Sequence, residues 1–236
     1  MTKFEVSNIL NDINNILVPR SCFGCIAPLR KGERILCTVC RNDLPFTEYN
    51  FHKENPIDRI FYGRIAIKKA SSLLFFIENG MIKNMLHHLK YKNQQDVSTF
   101  LGELYGAKLK EEFAQNSITI DFVIPVPLHK NKLKKRGYNQ VTAFGKCIAN
   151  HINATFLETA ILKTANTKTQ TKKNRFYRWM SNQELYTLQD KSAIKNKTIL
   201  LVDDVITTGA TLEACAKALH ATENVKIYIA TMAVVP

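Results

Sequence analysis

The chain has 236 residues, 45% of them hydrophobic, and sets 33 Lys and Arg against 20 Asp and Glu for a net charge of +13. That length holds one domain of common size plus a small appendage, and no apolar run approaches the roughly 20 residues that a membrane-spanning helix needs. The positive balance favours a phosphorylated or polyanionic partner and says nothing about sequence specificity.

At the start of the chain, Phe4, Ile9, Ile13, Ile16 and Leu17 recur at helical spacing among acids and polar residues. They predict an amphipathic helix, not a secretion signal, and so a cytoplasmic protein without membrane insertion. Pro19 opens a different region. Cys22 and Cys25 form one C-x-x-C pair, Cys37 and Cys40 a second. Two such knuckles supply the four thiolates of a closed tetrahedral zinc site. Two disulfides fit a cytoplasmic chain poorly, and a redox pair needs only one C-x-x-C. A structural Zn²⁺ is therefore expected, and with few apolar residues between the pairs the segment needs the metal to fold.

Residues 59–77 mix apolar, β-branched and aromatic residues and read as two strands. Residues 80–91 read as a helix with Met81, Met85, Leu86 and Leu89 on its inner face. His87 and His88 are adjacent, so about 100° separates them around that helix, and packing or solvation suits them better than a shared site. A second amphipathic helix covers 97–115, with Phe100, Leu101, Leu104, Leu109 and Phe113 inward. An apolar strand follows over 118–128, ended by Pro125 and Pro127.

Then the chain turns basic. Five Lys or Arg fall within residues 130–136, Lys134, Lys135 and Arg136 among them. Gly137 interrupts the run before a helix over 138–152. A charge run is usually a solvated face, but this one follows a strand in an α/β pattern, where ligands bind. A second basic stretch, 163–178, contains Lys168, Lys172, Lys173 and Arg175, and no acid occurs between Glu158 and Glu184. It reads as an exposed loop. Phe176, Tyr177 and Trp179 at its end are suited equally to stacking on bases and to anchoring the loop on the core.

The chain is organised around residues 198–219. Ile199, Leu200, Leu201 and Val202 are a continuous apolar run, as in a parallel strand buried on both faces. Asp203 and Asp204 follow at once. Next come Val205 and the small hydroxyl-rich turn Thr207, Thr208, Gly209, Ala210 and Thr211, and from Leu212 the apolar spacing is helical. Backbone amides at a helix N-terminus stabilise phosphate. Paired carboxylates accept hydrogen bonds from a vicinal diol or hold a divalent metal through water. A last strand over 226–235 closes the chain.

The ten residues V-D-D-V-I-T-T-G-A-T closely resemble the phosphoribosyl-pyrophosphate (PRPP) motif of type I phosphoribosyltransferases. In that family the acidic pair contacts the ribose hydroxyls and the T-T-G-x-T loop cradles the 5′-phosphate. In order, the paired cysteines, L-K-Y (89–91), P-V-P-L-H (125–129), R-G-Y-N-Q (136–140), T-K-T-Q (167–170) and this motif resemble the ComF family, the double-zinc-ribbon phosphoribosyltransferase-like competence proteins. The resemblance implies a mainly parallel sheet flanked by helices in residues 59–236, with a small Cys₄ zinc domain in residues 1–58.

It also implies PRPP binding with Mg²⁺ and a role in the uptake or processing of transforming single-stranded DNA, beside a DNA-uptake helicase and recombination proteins. The two readings kept beside it are an active transferase of nucleotide metabolism and a non-catalytic PRPP sensor. Lys90, Pro127, His129, Arg136 and Gln170 are the candidates around the pyrophosphate. Lys134, Lys135, Lys172, Lys173 and Arg175 are the candidates for nucleic acid.

Overall fold

The computed structural model describes residues 20–164 and 185–236. The predicted first helix lies outside them, as do Gln170, Lys172, Lys173 and Arg175.

Five strands form one sheet in the order β1-β7-β6-β2-β3, with every pairing parallel. They are β1 (Lys69–Phe75), β2 (Phe122–Pro125), β3 (Thr155–Phe156), β6 (Thr198–Ile206) and β7 (Lys226–Val234). In a separate two-stranded sheet, β4 (Ile161–Lys163) pairs antiparallel with β5 (Tyr186–Leu188). Parallel pairing requires crossovers, and helices provide them on both faces of the sheet.

Strand β6 shows why its sequence is apolar without alternation. Leu200 and Val202 enter one core cluster, with Met85, Leu89, Leu101 and Phe144. Ile199 and Leu201 enter the other, with Leu212, Cys215 and Leu219. Successive side chains of a strand point to opposite faces, and here both faces are covered. On the first face lie α3 (Met81–Tyr91), α4 (Asp96–Gln115) and α6 (Thr142–His151); on the second lies α7 (Ala210–Leu219). The expected parallel sheet flanked by helices is present.

Several local readings need correction, among them the strand expected over 118–128, which is confined to Phe122–Pro125. Residues 59–77 hold one strand, not two, because α2 (Pro56–Ile60) occupies the start of the stretch. Asn55 caps α2 and accepts from Ile57 N, Asp58 completes a capping box, and Pro56 stands at the first turn. Those signals nucleate a helix despite the β-branched residues that follow. The helix expected over 138–152 begins only at Thr142, which leaves Tyr138, Asn139 and Gln140 free to serve the sheet's C-terminal edge. The inner face of α4 is carried by Val97, Leu101, Tyr105, Leu109 and Phe113, while Phe100 and Leu104 are half-buried.

Helices α4 and α6 approach closely through glycine. A Cβ on Gly102 would lie 2.8 Å from Cys147 Cβ and 2.9 Å from the Phe144 backbone. Alanine is the better helix former by up to about 1 kcal/mol, but overpacking a tight contact costs roughly 1–3 kcal/mol. Gly102→Ala is expected to lower the urea unfolding midpoint. A raised midpoint would mean that the helices do not pack this closely in solution.

Candidate phosphate and sugar site

Near its C-terminal end strand β6 carries two carboxylates that are almost out of water, Asp203 and Asp204. Each is held differently. Asp203 accepts the backbone amide of Asp204 at 2.8 Å. Asp204 receives Lys90 Nζ and Gln140 Nε2, both on Oδ2 at 2.8 Å. Burial, and next the neighbouring Asp204 charge, push the Asp203 carboxyl up to about 8, against smaller pulls from Lys90 and Lys163. One cation for two adjacent buried acids is too little to keep both ionised.

Beyond Ile206 the chain turns through Thr207 and Thr208 to Gly209, whose φ is +71°. A side chain there would also collide, since its Cβ would lie 2.8 Å from Ile60 Cγ2 and 3.1 Å from Phe61. Glycine is needed on both counts. Helix α7 starts at once, with no side chain capping its first turn, so its free amides and positive dipole end face an open concavity along Asp203 and residues 205–212. That is an anion site by construction.

A residue the sequence did not single out braces this loop. Arg64 Nη1 donates to the Thr208 carbonyl at 2.7 Å and to the Ile60 carbonyl at 3.0 Å. Its Nε and Nη2 hold Glu213 Oε2, on the first turn of α7, at 2.9 and 2.5 Å. Arg64 thereby ties down one loop carbonyl and pairs with the acid in the first turn of α7. Its partners Thr208 and Glu213 lie 144 and 149 residues away, so no local pattern announces it.

The motifs L-K-Y and R-G-Y-N-Q meet at Asp204. Lys90 comes from the last turn of α3. Gln140 is aimed by Ser98, which donates to its carbonyl at 2.6 Å, and by Arg136, which donates to its Oε1. Tyr138 Oη donates to the Leu89 carbonyl, and Asn139 Nδ2 to the Val126 carbonyl at 2.9 Å. The other candidates stand apart from this network. His129 caps α5 (Lys130–Arg136), its Nδ1 accepting from Asn131 N at 3.2 Å. Pro127 is half-buried in the turn before it, Val205 half-buried within β6, and Lys134 and Lys135 project into solvent from α5. Across the site, Lys163 Nζ donates to Tyr186 Oη at 2.9 Å, and burial lowers the Lys163 pKa.

The four cysteines form one cluster, with their sulfur atoms within 4.8 Å of one another. Ligands about 2.3 Å from a tetrahedral zinc stand roughly 3.8 Å apart, and the Cys25 and Cys37 sulfurs are separated by 3.8 Å. Gly24 N and Cys37 N point at Cys22 Sγ at 3.4 and 3.3 Å. Burial opposes ionisation of Cys22, but backbone donors outweigh it and bring the thiol down to about 7. The donor set fits a metal that takes thiolates. The cluster is seated on α3, where Phe23 packs against His88 at 5.0 Å between centroids and Asn84 Nδ2 donates to the Gly24 carbonyl at 2.8 Å. His88 is thus a packing residue and His87 is exposed, as the sequence suggested.

Residues 148–235 match the family described as Phosphoribosyl transferase domain. Over 199 residues the chain is 22% identical to "Competence protein ComFC" of Bacillus subtilis (strain 168), covering 84% of this chain and 77% of that one. It is 24% identical over 210 residues to "Competence protein F" of Haemophilus influenzae, covering 84% and 90%. It is 22% identical over 217 residues to "DNA utilization protein YhgH" of Escherichia coli (strain K12), covering 86% and 92%.

Two outcomes follow from this geometry. A carboxyl raised in the folded state holds its proton there when the unfolded chain has already lost it. Its contribution to stability is therefore complete below the unfolded value near 3.8 and is lost as pH rises towards about 8. Asp203→Asn cannot ionise, so it should melt above wild type at about pH 9, with the advantage shrinking towards about pH 5. An advantage that grows towards acid would reverse the assignment. At the cysteine cluster, metal analysis should find one bound ion per chain, lost in Cys37→Ser together with ordered structure in the surrounding segment. A folded, metal-free wild type would overturn the tetrahedral site.

Proposed function

We propose that the chain is a ComF-type competence protein, as its likeness to such proteins suggests, and that it binds PRPP at the end of β6 and handles single-stranded DNA. The observation that carries the PRPP reading is the convergence at Asp204. Two buried carboxylates, the lysine of α3 and a Gly209-kinked anion loop share one edge of a parallel sheet, where ligands of open α/β sheets bind.

In this reading the 5′-phosphate sits on the amides and hydroxyls of Thr207, Thr208, Gly209, Ala210 and Thr211. The ribose diol donates to Asp203 and Asp204, which also hold Mg²⁺ through water. Lys90 and Arg136 neutralise the pyrophosphate. Zinc is the ion of the cysteine cluster and has a structural role. The DNA reading is supported by the competence and DNA-utilization names of the relatives and by the cations of α5. A DNA-uptake helicase and recombination proteins are the partners it implies. Among the described residues no helix is long and apolar enough to cross a membrane.

Calorimetric titration of Mg²⁺–PRPP tests the site. Hydrogen bonds to a charged group contribute roughly 1.5–3 kcal/mol, so Asp204→Asn should weaken binding about tenfold or more without unfolding the protein. Asp203→Asn/Asp204→Asn should abolish it. Affinity unchanged in the double variant would remove the ribose contact. Pyrophosphate release with an added acceptor would make the protein an enzyme, and binding without release a sensor or scaffold.

A further inference from the structure

Tyr91, the last residue of α3, is 69% exposed. The Arg136 guanidinium lies 5.8 Å from its ring centroid and the His87 ring 5.1 Å. An aromatic ring left in water beside a cation and a second ring is a poor packing element and a good stacking platform.

Beside it runs α5, with five cations in seven residues and no acid. Lys130, Lys132, Lys134 and Lys135 are exposed, and among the described residues none of the four forms an ion pair. Lys130 and Lys134 are four residues apart, as are Lys132 and Arg136, so like charges are neighbours on the helix surface and repel. A helix this short has little intrinsic stability to set against that repulsion. A polyanion laid along it would relieve the strain.

The geometry points to a single-stranded DNA site in which a base stacks on Tyr91 and the adjoining phosphates lie on the lysines of α5. This rests on the DNA half of the reading above and gives it a place. The site borders the sugar site, because Arg136 touches both Tyr91 and Gln140, and Gln140 holds Asp204. A base in a duplex is already stacked within its own helix, so the ring favours unpaired strands.

Fluorescence anisotropy with a labelled oligonucleotide, alone and as a duplex, tests this on the full chain. Base–aromatic stacking contributes roughly 1–3 kcal/mol, so Tyr91→Ala should weaken single-strand binding about tenfold while Tyr91→Phe keeps it. Tyr91→Ala should leave the salt slope and duplex binding unchanged. Lys132→Ala/Lys135→Ala should instead make the slope of log K against log salt shallower by about 1.4, at roughly 0.7 per phosphate contact. Tyr91→Ala binding as wild type does, or losing duplex and single strand equally, would overturn the stacking site and leave the broader DNA reading standing. A wild type that binds no single-stranded DNA would overturn both.

Discussion

Everything at the working edge of this protein depends on keeping two adjacent carboxylates out of water. Coulomb repulsion between them is strong in a partly desolvated setting, and each alone is costly to bury. The surroundings reduce that cost by specific means. Lys90 reaches Asp204 from one helix, Gln140 reaches the same oxygen from the segment before another, and the Asp204 amide faces Asp203. Burial and the Asp204 charge raise the Asp203 carboxyl, which favours its neutral form and lessens the repulsion. In the function we propose, a diol or a divalent cation would supply the donors or the charge that the pair lacks.

The anion loop next to it depends on a different constraint, steric and not electrostatic. Gly209 lies against Ile60 and Phe61, and Arg64 from the turn after α2 ties down the Thr208 carbonyl and Glu213. The loop is thus preorganised from outside by a segment far away in sequence. Its amides can face inward without rearrangement when an anion arrives.

How much of this was legible in the chain follows from the range of each interaction. The run from Ile199 to Thr211 could be read because strand, acids and loop are consecutive, and the cysteine knuckles because their spacing is itself the geometry. The inner face of α3 was readable in part from periodicity: Met85, Leu86 and Leu89 are buried, but Ile82 and not Met81 completes the face. Arg64 was not readable, since nothing local distinguishes it from a solvated arginine. In residues 59–77 the β-branched content points to strand, but the Asn55–Pro56 helix start is a cap that overrides weak propensity. Gln140 was recognised only as part of a motif. Its bond to Asp204 spans 64 residues and exists only once β2 and β6 pair.

The order of strands in the sheet has a consequence for how the protein is made. β7, residues Lys226–Val234, lies between β1 and β6 and is paired with both. β1, although the first strand of the sheet to leave the ribosome, pairs within the sheet with β7 alone. Until residues 226–234 emerge, β1 has no sheet neighbour and the apolar faces of β1 and β6 lack the strand that joins them. Such long-range parallel closure is slow and exposes sticky surface meanwhile. The nascent chain is therefore a natural client for chaperones throughout its synthesis, and its paired carboxylates gain their full sheet setting only once β7 is in place.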